Sequence, residues 1–380
     1  MHIHTTEPHD TIFKIARRYS VQPTKIMEDN GLFSDRLSTG EELLILTPTR
    51  TVTVRGGESL GTLSKRFGVK RSSLIANNPA LRGSDNLRPG HILSVKFDTP
   101  PMGVASAVGI YTKGTSGGKL ALALPYLTYI VVEAYSLKKG EIKERFISDG
   151  LGEKFRQAGK IPLLGFTDKS GGEAICATER DELCKNMVAL AKEGGYSGIC
   201  LDVCSAEQKR AVVGDFTLAL KKHLYGNDLI LFCRGNSASG EDFLDIADGV
   251  IFTPDRKNLL TEEECDVTEC SKSFVFVDTS ACFGDRRGKV SEAKRISRAR
   301  NIEIKKSGLP PYCHYEYKKY VRGEGVTVAV RYPSLECIHK LYEKGAELGF
   351  LGFAFDIAEI TVPTLSMFNA CFARADYSLL

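Results

Sequence analysis

Tryptophan is absent from this chain, so any aromatic platform must come from its 14 Tyr and 19 Phe. No apolar run approaches the ~20 residues that a bilayer-spanning helix needs, which excludes such a helix. The first residues, Met1-His2-Ile3-His4, are polar and His-rich and lack the apolar centre of a secretory leader, so synthesis in a cytosol is expected. Cysteine is missing from the first 97 residues, and all eleven lie between Cys176 and Cys371. An odd number placed away from the small N-terminal part does not form a secreted disulfide framework, so reduced thiols are expected. A strong charge of one sign is lacking too. Residues 1–97 hold 14 Lys+Arg against 9 Asp+Glu and the remainder holds 37 against 38, so the net +4 belongs to the N-terminal part. That scattered excess suits an anionic polymer and carries no nucleic-acid signature. There is no CxxC pair, and the soft grouping Cys200-x-Asp202-x-Cys204 with Cys233 reads better as small buried side chains than as ligands. No metal and no cofactor are expected.

What is present begins with a repeat. Asp10-Thr11 aligns with Glu58-Ser59, Tyr19 with Phe67, Val21 with Val69 and Asn30 with Asn78 at an offset of 48, while Leu37 and Gly40 meet Leu87 and Gly90 at 50. Each copy, 1–47 and 50–97, opens on a short alternating run and continues with a residue suited to an N-cap. Apolar positions at helical spacing follow, such as Leu60, Leu63 and Phe67, and a second helix and a closing strand complete the unit. The unit is βααβ. It resembles the lysin motif, LysM, a module that recognises chains containing N-acetylglucosamine. The resemblance places a sugar groove between the loop before the first helix and the loop after the second. Those positions are Asp10, Thr11, Ile12, Asn30, Gly31 and Leu32 in the first copy, and Glu58, Ser59, Leu60, Asn78, Pro79 and Ala80 in the second.

After Phe97-Asp98-Thr99-Pro100-Pro101 the pattern changes. Apolar runs at 104–112, 126–136, 161–168, 196–203, 228–235, 248–254, 274–281 and 348–356 alternate with helix-sized connections. Eight such runs predict a (β/α)8 TIM barrel over 101–380, with its site at the C-terminal strand ends. The longest connection, 289–347, predicts a small α+β insertion before strand eight.

Tyr126-Leu127-Thr128-Tyr129-Ile130 with Gly140, Ser170-Gly171-Gly172, and Gly195-Tyr196-x-Gly198 are similar to the second, third and fourth strands of family 18 glycoside hydrolases, the chitinase-like barrels. Tandem LysM units before such a barrel resemble the spore-cortex enzymes of endospore-forming bacteria. The resemblance implies a peptidoglycan or chitin-type glycan as partner, no membrane or nucleic acid, and production in the mother cell. It further implies a place in spore coat, cortex or cell wall, with spore-coat proteins as possible neighbours.

The family signature on strand four ends in an acidic residue that protonates the glycosidic oxygen, two positions after an Asp that orients the substrate's acetamido group. Here only Asp202 is kept. Ser197 replaces the first Asp, Cys200 the middle one, and Cys204 stands where the catalytic Glu belongs. A neutral thiol is a poor proton donor beside a tuned carboxylic acid, and losing general-acid help costs typically ~10²–10⁴-fold. The family's strand-eight Trp is absent, with Phe355 and Asp356 in its neighbourhood. Two readings follow. The favoured one is a glycan-binding protein with an impaired barrel. The alternative is a hydrolase of N-acetylglucosamine linkages whose acid is another carboxylate, for which Glu133, Asp168, Glu207, Asp278 and Glu359 are available near strand ends. Tyr111, Tyr135 and Phe166 are the aromatic residues available near the mouth, with core packing as their default role. The cysteine argument gives a direct check. Denatured, non-reduced protein should titrate close to eleven thiols with Ellman's reagent, and finding most of them paired would overturn the reduced reading.

Overall fold

A computed structural model describes residues 1–97, 99–138, 141–146, 150–168, 180–203, 210–236, 243–254, 270–308, 311–321 and 324–374. Each repeat is a pair of short helices against a two-stranded antiparallel sheet. In the first, His2–Thr5 pairs with Glu42–Ile45, and helices Ile12–Tyr19 and Pro23–Asn30 lie between them. In the second, Pro48–Thr53 pairs with Ile92–Phe97 around helices Leu60–Phe67 and Arg71–Ala76. The predicted caps form: the Thr11 hydroxyl accepts from Lys14 N, and Ser59 makes a capping box with Thr62.

The two aligned asparagines do something the sequence did not disclose. Asn30 Nδ2 donates to Ile26 O (2.8 Å) and Leu44 O (2.7 Å), while its Oδ1 accepts from Leu44 N (2.7 Å). Asn78 repeats this with Leu74 O (2.7 Å), Ser94 O (2.9 Å) and Ser94 N (2.8 Å). Each side chain closes a helix onto the final strand, and both are buried. Both Nδ2 protons of each amide are committed to backbone carbonyls, so neither residue has a donor left to offer a sugar without opening the unit. To the ligand contact expected of them is thus added a structural role in closing each unit.

The larger domain is a closed barrel of eight parallel strands: Gly103–Tyr111, Tyr129–Lys138, Ile161–Asp168, Gly198–Asp202, Ile230–Asn236, Gly249–Thr253, Ser273–Phe276 and Gly352–Asp356. The first pairs with both the second and the last. Alternate side chains fill the interior, where Tyr129, Phe232 and Phe274 meet with ring centroids 5.0–5.8 Å apart. The opposite faces carry Ile130, Leu164, Leu201, Leu231, Val275 and Phe353 into the layer beneath the helices.

The additional sheet starts earlier than its sequence pattern suggested. Residues 274–281 read as one apolar run, but the barrel strand stops at Phe276. There Asp278 Oδ1 accepts from Ser280 N (2.9 Å) and turns the chain. Ser280–Phe283 then opens a five-stranded antiparallel sheet with Arg286–Lys289, Glu324–Pro333, Tyr312–Val321 and Lys305–Ser307, crossed by helix Val290–Arg300. Helix Leu335–Glu347, expected inside the insertion, packs on the barrel instead through Tyr342, which touches Phe353 and Phe368.

The repeats dock onto both parts. Glu41 and Glu42 are 0% and 2% exposed at the start of the first repeat's closing strand. Glu41 is paired with Arg298 (Nε 2.9 Å) and Lys294 (3.4 Å), and Glu42 with Lys306 (3.1 Å), all from the additional sheet and its helix. Glu42 also accepts from Leu335 N (2.6 Å), at the start of a barrel helix where the helix dipole favours an anion. Arginine and lysine neighbours hold the Glu41 carboxyl below its usual range despite its burial. Gly40, at φ +78°, lets Ile304 approach so closely that an added Cβ would sit 1.9 Å from its carbonyl oxygen. Tyr126 OH of the barrel donates to Ala76 O of the second repeat (2.9 Å), and Leu44 and Leu46 of the first repeat join Ala76 in the barrel's outer core.

Removing one asparagine clamp orphans buried backbone groups, each worth ~1–3 kcal/mol. Asn78→Ala should therefore destabilise the second repeat by about 2–4 kcal/mol. A loss of amide hydrogen-exchange protection at Ser94, whose N–H donates to Asn78 Oδ1, would report it, and unchanged protection there would contradict the clamp.

Candidate binding cleft and barrel mouth

Two places collect the residues that the sequence singled out. The first is the barrel mouth. Cys200 and Asp202 project inward from strand four as the alternation requires, and Cys200 is buried beneath Asp202. Burial, then the Asp202 charge, pushes the Cys200 thiol well above its usual value, so it is neutral at pH 7. Ser197 is elsewhere: its backbone pairs with Pro162 and Ile230 at the N-terminal end of the barrel, so it does not reach the mouth. Cys204 and Glu207, like Gly140 and Ser170-Gly171-Gly172, lie outside the described residues.

The residue that sequence reasoning missed here is Arg234, on strand five. Its Nη1 lies 3.2 Å from Glu133 Oε1 and 3.7 Å from Asp202 Oδ2, so both carboxylates share one guanidinium. The guanidinium stacks over Phe276 at 4.5 Å, and Arg145 holds the other Glu133 oxygen at 3.2 Å. Burial raises the Glu133 pKa; Arg234 opposes the rise and Asp202 adds to it. The hollow between Glu133, Asp202 and Arg234 measures about 10 Å³, room for about one water. Phe355 turns outward against Phe368 at 5.7 Å and offers no floor to a sugar. Phe166 stacks on Tyr135 at 5.4 Å in the outer layer, and Tyr111 sits between Phe146 and Phe155. Farther round the rim Asp278 is bound by Arg287 (2.9 Å), and burial raises the pKa of both Asp356 and Glu359.

The second place is a cleft of about 1200 Å³ that runs along the repeats. The loops after the second helix of each repeat line it, with Asn30, Gly31 and Leu32 from the first and Pro79 and Ala80 from the second. Opposite them stand the helices that follow barrel strands one and eight, including Lys119 and Val362, and helix Val290–Arg300. Gly31 is in left-handed conformation, and an added Cβ would meet Val362 Cγ2 at 2.8 Å. The other half of each expected groove does not line this cleft. Thr11 and Ser59 are spent as caps, and Ile12 and Leu60 are core. Asp10 accepts from Glu7 N (2.9 Å) and Glu58 from Arg55 N (2.8 Å), closing equivalent turns.

With the geometry in view, comparison with known proteins is decisive for the repeats. The family model described as LysM domain matches residues 4–45 and 52–96. These are LysM domains. Among curated proteins, the chain is 25% identical over 217 residues to YdhD of Bacillus subtilis (strain 168), named as a sporulation-specific glycosylase. That match covers 53% of the chain and 50% of YdhD. It is 32% identical over 97 residues to the cell wall-binding protein YocH of the same strain, covering 24% of the chain and 33% of YocH. The chain thus spans half or less of the curated relatives it matches. Among solved structures, the spore cortex-lytic enzyme SleL of Bacillus megaterium QM B1551 superposes with a TM-score of 0.73 at 16% identity, over 98% of each chain. A chitinase from Chromobacterium violaceum ATCC 12472 gives 0.59 at 12% identity, over 70% of this chain and 99% of that one. The LysM pair ahead of a SleL- and chitinase-like barrel supports glycan binding or glycosidase chemistry.

At the junction of the LysM domains, Lys25 Nζ bridges Asp29 Oδ1 (2.7 Å) and Asn77 O (2.8 Å). Asp29 is buried with its second oxygen unpaired, and burial lifts its pKa from 3.8 to about 6. Between those two values the folded chain holds a proton that the unfolded chain has lost, so this group favours the fold at acid pH and loses that advantage as pH rises through about 6. Asp29→Asn removes the titration. Its thermal midpoint should gain on the wild type between about pH 4 and pH 7, and a difference independent of pH would show that Asp29 stays ionised.

Proposed function

We propose that this protein binds N-acetylglucosamine-containing cell-wall glycan, peptidoglycan or a chitin-like chain, through its LysM domains, and that its barrel is impaired as a glycosidase. The setting is the spore or wall of an endospore-forming bacterium, in keeping with the names of its relatives. The observation that carries the impairment is Arg234 between Asp202 and Glu133. In substrate-assisted hydrolysis the acetamido group must reach a carboxylate, and a neighbouring acid must keep a proton for the leaving oxygen. A guanidinium within 3.2 Å of Glu133 and 3.7 Å of Asp202 competes with the acetamido group for the same carboxylates and opposes the burial that raises the Glu133 pKa. The thiol at position 204 cannot take the acid's place, since a neutral thiol is a weak proton donor.

One observation favours a second reading. Burial and the Asp202 charge keep Glu133 above the usual carboxylate range, which is the tuning that a general acid requires. The full chain, incubated with insoluble peptidoglycan and with an N-acetylglucosaminide reporter, separates the two. Retention on the polymer with no cleavage is expected, and Cys204→Glu should give weak cleavage at best. Wild-type turnover that falls ~10²–10⁴-fold in Glu133→Gln would establish the hydrolase with Glu133 as its acid.

A further inference from the structure

The cleft along the LysM domains has a charge imbalance that docking does not use. Several of its cations are spent: Lys294 and Arg298 neutralise Glu41, and the acidic Glu292 is held by Arg286. Arg36, Arg82 and Arg295 also line it, and among the described residues none of the three has a carboxylate partner. They come from three different parts: Arg36 from the first LysM domain, Arg82 from the second, and Arg295 from the helix of the additional sheet. Arg82 takes left-handed backbone (φ 45°), a conformation unusual for a side chain of its size, and its guanidinium reaches across to Gly118 of the barrel. Between these cations the lining is apolar: Phe33 is 89% exposed beside Leu32, with Val362 opposite.

We infer that this cleft is one composite site for an N-acetylhexosamine strand bearing carboxylate groups, in which Phe33 and its apolar neighbours take the sugar faces and the three guanidinium groups take the carboxylates. The inference rests on the proposed glycan binding and narrows it to an acidic strand. A neutral chitin-like chain gives three unpaired arginines nothing to neutralise, whereas a carboxylate matches the guanidinium fork through paired charge-assisted hydrogen bonds. Because the three arginines belong to separate parts, the strand would be read only by the docked assembly, across the LysM–barrel boundary.

The test uses the full chain and two probes, soluble carboxylate-bearing peptidoglycan fragments and neutral chitin oligomers. Replacing Arg36, Arg82 and Arg295 together by Gln should weaken the acidic probe about ten-fold or more and flatten its salt dependence. The same variant should leave chitin-oligomer binding within about two-fold. All three side chains are exposed, so the fold should survive. A second readout does not need the triple variant. The chain has no Trp, so Phe33→Trp places a single indole in the cleft, and its emission should shift on adding the acidic probe. Wild-type affinity for both probes in the triple variant, or an indole blind to the acidic probe while binding persists elsewhere, overturns the composite site and leaves glycan binding standing. Equal loss of both probes overturns carboxylate selection. A wild type that binds neither probe overturns the glycan-binding proposal itself.

Discussion

Two carboxylates buried at the edge of the first LysM domain govern how the molecule is put together. Glu41 and Glu42 are removed from water and would be intolerable without the three cations that the additional sheet supplies. Buried ion pairs of this kind contribute little net stability, because desolvation offsets their attraction, yet losing one partner is severe. The network is therefore better understood as specifying one orientation than as glue. Once it is satisfied, the loops after the second helices are set toward the barrel's C-terminal face, and the cleft follows as a consequence. The additional sheet, which has no part in closing the barrel, acts as the bracket that fixes this arrangement.

The barrel mouth follows a related electrostatic rule with the opposite result. Asp202 and Glu133 share Arg234 while Arg145 holds the second Glu133 oxygen, and the interior below is filled by the Tyr129, Phe232 and Phe274 rings and Cys200. An active glycosidase needs carboxylates that exchange charge with a substrate. Here both lie within salt-bridge distance of one arginine, which a substrate would have to share or displace.

Much of this was legible beforehand. The eight barrel strands were readable because strand alternation with helix-sized spacing is a strong signal, and the LysM units because the pattern is written twice. The misreadings have physical causes. Residues 274–281 look like one strand because the turn that Asp278 makes is marked by three polar residues alone, with no glycine or proline. The clamps made by Asn30 and Asn78 went unseen because polarity in a loop is ambiguous until its hydrogen bonds are counted. Arg234 drew no notice because one basic residue at a strand end is unremarkable in sequence and acquires meaning only from what neighbouring strands place beside it. The docking pair did leave a trace: where the first repeat reads Gly40-Glu41-Glu42, the second reads Gly90-His91-Ile92, with Ile92 partly exposed. Aligning the repeats for their similarity concealed the difference that matters.

That difference makes the two modules non-interchangeable parts. LysM domains are commonly thought of as beads that can be reordered or duplicated along a chain, but exchanging these two would set His91 and Ile92 against Lys294, Arg298 and Lys306 and leave a cluster of like charges stranded in a closed seam. Gly40 adds a steric key to the electrostatic one, since its counterpart Gly90 faces open space and is under no such demand. The order of the domains is thus as much a part of the fold as the barrel, and lineages that shuffle modules would have to change the first repeat and the additional sheet together.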